Sequence, residues 1–273
     1  MPDPAPHLAD TEEGRRLAAV EAEGWHLWGP YLSERQWGTV REDYSEGGSA
    51  WDYLPHDHAR SRAYRWGEDG IAGFSDDRQL WCLSLALWNG RDPILKERMF
   101  GLTNDEGNHG EDVKELWWYL DGTPTHSYMR MLYKYPHAPY PYADLVAENA
   151  RRKGKNLPEY EIADTGVFEG GRYHDVTVDY AKAAPDDVLM RVTLVNRGPE
   201  AADLHVLPQL LARNTWSWGR ESWEAEQPRP LLRLTDTGAV AATRGRAPAL
   251  RFAALQPAEF LFCENETNTA RLF

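Results

Sequence analysis

From Asp164 onward the chain alternates apolar and polar residues with a period of two, and turn residues interrupt the runs every ~8–12 positions. In Asp175–Lys182 (DVTVDYAK) the side chains of Val176, Val178 and Tyr180 fall on one face. In the next run Val188, Met190, Val192 and Leu194 alternate with Leu189, Arg191, Thr193 and Val195, and the pattern stops at Asn196-Arg197-Gly198-Pro199. Leu204, Val206 and Leu210 read as the strand returning beside it. Four further runs, LLRLTDTG, AVAATR, ALRFAAL and AEFLFCE (residues 231–264), repeat the theme. A period-two pattern buries one face only when strands pair into a sheet that is covered on one side. Many such short runs predict a mainly-β, antiparallel β-sandwich.

Helical signals are few. Thr11–Glu23 reads as a short helix, with Asp10 and Glu13 in a capping-box pattern and Gly24 positioned to close it. Pro141–Arg152 reads as a second, with Pro near its first turn and Gly154 beyond its end. Between them, Arg78–Trp88 (RQLWCLSLALW) fits a strand buried on both sides or a helical turn by periodicity, and the turn Asn89-Gly90-Arg91-Asp92-Pro93 after it favours the strand; Lys114–Leu120 predicts another, ending at Asp121-Gly122. The division expected is a helical lead-in over 1–24 and a sandwich over 25–273. The apolar end Ala270–Phe273 has no closing element, which leads us to expect a longer parent protein.

A net charge of −13 opposes nucleic acid as a partner, since phosphate binding needs clustered cations. The basic run Arg151-Arg152-Lys153 reads as a solvated helix end. No window is apolar enough to span a bilayer, and the N-terminus lacks a signal-peptide pattern. The two cysteines, Cys82 and Cys263, sit in apolar contexts (LWCLSL, FLFCEN) and read as buried free thiols, which fits a reducing, cytoplasmic setting. Asn265-Glu266-Thr267 matches a glycosylation sequon by chance.

Two stretches, Ser49–Asp69 and Phe100–Tyr128, interleave rings, carboxylates, histidines and arginines more densely than a core requires. That mixture suits a polyhydroxylated ligand, whose C–H faces lie on rings and whose hydroxyls pair with charged groups, and it equally suits a wet domain interface. His56-Asp57-His58 lacks a second ligand pair and reads as a hydrogen-bonded loop, so no metal or cofactor is expected. The run His109-Gly110-Glu111-Asp112 with Glu106 lacks the twelve-residue oxygen-ligand pattern of a calcium loop. Glu68, Asp69, Glu111 and Asp112 are carboxylates of the type glycoside hydrolysis needs, but they read as ionic partners of Arg60, Arg62, Arg65 and Lys114. Nucleophile and phosphate-loop motifs are missing. Trp117, Trp118 and Tyr119 read as sheet faces. Trp216 and Trp218, in ARNTWSWG, would share one strand face as a platform or interdomain anchor. The candidates for substrate or interdomain contact are therefore Arg60, Arg62, Trp66, Glu68, Asp69, His109, Glu111, Asp112, Trp216 and Trp218, with no catalytic residue assigned.

The blocks Glu34–Ser45 (ERQWGTVREDYS), Ala50–Gly73, Ala86–Glu115, Asp121–Pro136 and Arg213–Gly219 carry a resemblance. Together they resemble bacterial proteins related to glycoside hydrolase family 63, the mannosyl-oligosaccharide glucosidase family. The resemblance implies an N-terminal β-sandwich followed by an (α/α)6 barrel that hydrolyses α-glucosidic linkages with inversion. The family's acid and base would lie in the barrel, so no catalytic residue transfers to this chain. Its implied partners are that barrel, in the same polypeptide or a separate one, and an oligosaccharide substrate. The ring and carboxylate content on its own leaves open a stand-alone carbohydrate-binding module, or a scaffold for a separately encoded barrel.

Overall fold

The computed structural model describes residues 7–31, 58, 61–64, 70–102, 112–218 and 228–272, with Asp112 and Trp218 described in backbone alone. Two four-stranded antiparallel sheets face each other. One has the order β1 (Trp28–Tyr31), β2 (Ile71–Asp76), β3 (Trp81–Trp88), β10 (His205–Ala212). The other runs β6 (Trp117–Gly122), β7 (Tyr128–Pro136), β8 (Tyr173–Ala184), β9 (Asp187–Asn196). A two-stranded ladder, β4 (Gly101–Leu102) with β5 (Asp112–Val113), and a three-stranded sheet, β11 (Leu231–Leu234), β12 (Val240–Thr243), β13 (Leu250–Phe252), complete the described strands. The fold is mainly β and sandwich-like, as the period-two pattern predicts.

Register shows how the alternation becomes a core. Met131, Val178 and Val192 stand opposite one another across three strands, as do Tyr133, Val176 and Leu194. Met131, Tyr133, Val176 and Val178 are fully buried, Val192 on the edge strand is half-buried and Leu194 beyond it is exposed; Tyr180 crosses the sandwich to stack on Phe74 at 4.6 Å and to donate its hydroxyl to the Ala72 carbonyl at 2.9 Å. Each fully buried aliphatic side chain here stabilises the fold by ~1.5–3 kcal/mol. The outward positions carry charge instead. Asp179 bonds Tyr128, Arg130 and Arg191, and Asp175 bonds Lys134 and Arg197, so ion pairs lace the exposed face across strands.

Several expectations need correction. The run Leu204–Leu210 does form a strand, but β10 pairs with β3 in the opposite sheet and does not return beside β9. Asn196 turns the chain out of its sheet: its side-chain oxygen accepts from Gly198 N at 2.8 Å and its amide donates to the Glu200 carbonyl at 2.7 Å. The strand expected from Lys114 begins only at Trp117, because the buried Lys114 side chain reaches out to Glu159 and Glu161 while Glu115 forms a buried ion pair with Lys96, and both leave the ladder's alternation. AEFLFCE forms no strand; Leu261, Phe262 and Cys263 are exposed, so the second thiol is not buried, whereas Cys82 is. The side chains of Asn265 and Thr267 hold this segment in place of a ladder.

Four short α-helices are described, more than the one or two expected: α1 (Glu12–Ala18), α2 (Val20–Glu23), α3 (Tyr142–Arg152) and α4 (Thr269–Leu272). The first two split the expected Thr11–Glu23 helix at Ala19. Thr11, not Asp10, is the N-cap, accepting from Gly14 N at 3.0 Å, and Gly24 closes α2 in the left-handed conformation. Glu13 is therefore free of capping. It accepts from Thr125 N, Thr125 Oγ1 and Ser127 Oγ, fixing α1 to the β6–β7 turn. Arg151 and Arg152 end α3 as a solvated pair with Glu148.

At the same end of the sandwich Lys182, on the inner side of β8, donates to the carbonyls of Trp25 and Trp28 at 2.6 Å each. Burial pushes its ammonium down to about 8, against a smaller upward pull from Glu13. An unfolded lysine titrates near ~10.4. Between these values the unfolded chain holds the extra proton, so stability rises with pH across that window. We expect the wild-type chain to gain stability from about pH 8 to about pH 10 in denaturant melts, relative to Lys182→Met, where the gain vanishes. Above that window buried Tyr133, Tyr140 and Tyr180, whose hydroxyls are held neutral by burial, reverse the slope in both proteins. Parallel stability curves from pH 8 to 10 would exclude this role for Lys182.

Candidate functional site

Most of the residues expected to contact substrate or a second domain (Arg60, Trp66, Glu68, Asp69, His109 and Glu111) lie outside the described residues, as do His56, Asp57, Arg65 and Glu106. Asp112 is placed only as the backbone of β5. Arg62 and Trp216 are described, and the structure brings them to one corner, where sheet β1-β2-β3-β10 ends at Trp81 and Ala212.

That corner is a clasp. Asn265, in the left-handed conformation, accepts from Tyr64 N at 2.7 Å and donates to the Ala212 carbonyl at 2.6 Å. Thr267 accepts from Ala63 N at 3.1 Å, and the Asn268 amide donates to the Ser61 carbonyl at 2.8 Å. The Arg62 carbonyl accepts from Arg98 at 2.6 Å. Asn214 takes the Ser217 amide on its side-chain oxygen and so winds Trp216–Trp218 into a 3-10 turn; the two tryptophans do not share a strand face as expected. The Trp216 indole N–H donates to Glu266 at 2.8 Å, and Arg229 pairs with both Glu264 and Glu266. Asn265 spends its amide on backbone, so the sequon residue is structural. This ring of bonds ties residues 61–64 and 212–218 to 264–268, and its chemistry is that of packing.

The opposite end of the sandwich is built differently. Trp88 and His205 face each other where β3 meets β10, and Tyr135 faces His174 where β7 meets β8, so both sheets end together. Between those ends opens a cleft of about 720 Å³, whose lining includes Trp88, Arg91, His137, Arg172, Glu200 and Asp203. Asn89 shapes its rim: the amide donates to the carbonyls of Pro136 and Ala138, and the side-chain oxygen accepts from Arg91 N and Asp92 N. Arg172 pairs with Glu200 at 2.9 Å. The rings of His137 and His174 lie 4.5 Å apart, with the two residues only 8% and 4% exposed. Neither His137 Nε2 nor His174 Nδ1 meets a hydrogen-bond partner among the described residues. Burial lowers the His137 pKa, helped by the neighbouring charge of His174 and Arg91, so the ring is neutral at pH 7. Burial does the same for His174, against a hydrogen bond to the Ala202 backbone.

None of the cleft residues was among the sequence candidates. The two loops that frame the cleft, Asn89–Pro93 and Asn196–Pro199, are legible as turns; that they meet follows only from β10 crossing between sheets. Among the described residues no group of three or more His, Cys, Asp and Glu is arranged to hold a metal ion.

Carboxylates facing the interior are already committed. Glu115 takes Lys96 at 2.6 Å, Phe100 N at 2.9 Å and Tyr133 at 2.8 Å; Asp92 accepts from Tyr135 at 3.0 Å. The carboxylates that line the cleft, Glu200 and Asp203, stand three positions apart on one loop, and Glu200 is paired with Arg172.

No protein-family model matches the chain, and no solved structure does. The chain is similar to an uncharacterized protein of Saccharomyces cerevisiae, YMR196W, at 51% identity over 204 residues. That alignment takes in 71% of this chain and 19% of the yeast protein, so the chain spans about a fifth of the length of the curated relative it matches.

Proposed function

We propose that this chain is the non-catalytic β-sandwich region of an inverting α-glucosidase-like glycoside hydrolase, acting in the cytoplasm and packing against a catalytic (α/α)6 barrel. The observation that carries the reading is the sandwich itself, whose described inward carboxylates are spent on structural partners, taken with the long motif blocks that resemble family 63. The share of the yeast relative lying outside the match, about four-fifths, agrees with a module of a longer protein. The barrel would supply the acid that protonates the leaving oxygen and the base that activates water.

An exposed aromatic edge offers the barrel a seat. Trp118 is 43% exposed on β6, next to Tyr119 and Leu120, which are also exposed, on a strand with no neighbour on its outer side among the described residues. Apolar patches of this kind mark interaction surfaces. No described helix is long and apolar enough to cross a membrane. The test is an assay of the purified 273-residue chain on aryl α-glucosides and α-glucosyl oligosaccharides. The expected result is no turnover above the uncatalysed rate. Robust hydrolysis, lost with a carboxylate substitution inside this chain, would overturn the proposal.

A further inference from the structure

We propose that the cleft at the Trp88/His205 end of the sandwich is a binding site for a neutral polyhydroxylated ring, a hexopyranose or a short oligosaccharide, within this chain itself. The inference stands apart from the barrel reading, because it rests on the cleft's own chemistry and needs no second domain.

Three features carry it. The cleft, at about 720 Å³, falls in the size range of small-molecule sites. Trp88 lines it and is 39% exposed, anchored through its ring N–H to the Asp92 carbonyl at 2.9 Å and set 5.2 Å from the His205 ring. An apolar flat surface held by its polar end is suited to the C–H face of a sugar ring. The lining also mixes planar hydrogen-bonding groups of both signs. Arg91 and Arg172 stand with Glu200 and Asp203, and their formal charges cancel. Guanidinium and carboxylate groups each form paired bonds in one plane, the geometry that adjacent ring hydroxyls present.

Charge decides between ligand classes. An anion such as phosphate would favour a cationic floor, yet the buried His137 ring is neutral, and Arg172 is already paired with Glu200. The region is also preorganised. The Asn89 side chain makes four backbone bonds at the rim, and Gly198 lies so close to His137 that a Cβ there would stand 2.7 Å from the ring.

Isothermal titration and saturation-transfer NMR of the full 273-residue chain with methyl α-glucoside, methyl α-mannoside, maltose and inorganic phosphate test the site. The expected result is saturable binding of at least one sugar, insensitive to salt, with no response to phosphate. Two exposed rim variants, Arg91→Ala and Asp203→Ala, should each weaken sugar binding about tenfold while leaving the thermal midpoint unchanged. Trp88→Ala should weaken it by about tenfold or more. Trp118→Ala, on a different strand and outside the cleft lining, should leave it intact. No saturable sugar response up to about 100 mM, far weaker than a useful site, would overturn the inference. So would saturable, salt-sensitive phosphate binding, or sugar binding that survives all three cleft substitutions.

Discussion

Glu115→Ala should lower the unfolding free energy by about 3–5 kcal/mol, the largest single-residue effect we expect in this chain. Glu115 and Lys96 form an ion pair at 2.6 Å whose side chains are 0% and 1% exposed. Around it the interior is saturated with polar contacts. The Lys96 ammonium lies 3.7 Å from the Tyr140 ring centroid and 4.7 Å from that of Tyr142, and Glu115 also takes Phe100 N and the Tyr133 hydroxyl. Removing the carboxylate strands a buried cation and two donors at once; the cation–π contacts offset only part of that loss. For a domain of this size the thermal midpoint should fall by roughly 10 °C. The double variant Lys96→Met/Glu115→Leu removes both charges together and should recover most of the loss, because replacing a buried pair with apolar side chains of similar volume is often near neutral. Chemical denaturation of the two variants beside wild type measures both losses. A Glu115→Ala protein within about 1 kcal/mol of wild type would mean that water reaches the pair, contrary to the burial seen.

That pair also shows where the sequence stops being readable. The β8 and β9 strands could be placed from Val176, Val178, Tyr180 and the run Val188–Leu194, because one buried face forces strict alternation. The helix ending at Arg152 is equally plain, whereas the unbroken apolar run Arg78–Trp88 fits a strand or a helical turn by periodicity, and only the turn after it favours the strand that forms over Trp81–Trp88. Lys114-Glu115 was not, because both residues are buried through partners 19 to 47 positions away, and nothing local announces a buried lysine. The same holds for β10. Its apolar pattern marks a strand, but pairing with β3 is fixed by the Asn196 turn and by the register of His205 with Trp88, both products of the assembled sandwich. The cleft inherits that difficulty, since Trp88, His137, Arg172 and Glu200 meet only after the crossover. Conversely, Trp216 and Trp218 read as a platform, an interdomain anchor or core because alternate residues on a strand share a face. One Asx contact from Asn214 turns the backbone helical and removes the premise.

The second large effect concerns how the three-stranded sheet is held to the sandwich. Arg244 directly follows β12 and is 1% exposed, and its guanidinium spans the joint between elements distant in sequence. It donates to the Arg213 carbonyl at 2.8 Å, the Leu80 carbonyl at 3.4 Å, the Pro228 carbonyl at 3.2 Å and the Thr215 hydroxyl, with the Trp216 ring centroid 5.6 Å away. Burial, reinforced by the charge of Arg213 and opposed by Asp76, pushes its pKa down to about 10, so it enters the interior charged at neutral pH. Two contributions then oppose each other in Arg244→Ala. Deleting a desolvated cation is favourable, while emptying its volume and stranding up to three acceptors is not, the Leu80 carbonyl keeping the Arg213 amide. The second prevails, because the guanidinium's charge is already spread over carbonyl dipoles, and we expect a loss of about 3–4 kcal/mol. Arg244→Met keeps the stem's packing and should cost less, about 1–2 kcal/mol. Arg244→Lys should fall nearer to alanine than its charge implies, since one ammonium cannot reach acceptors spread along a planar fork. Hydrogen exchange locates the damage: Leu231–Leu234, Val240–Thr243 and Leu250–Phe252 should open faster in Arg244→Ala, with β7 and β8 as protected as before. Uniform loss of protection across both sheets would instead make the three-stranded sheet an inseparable part of the sandwich core.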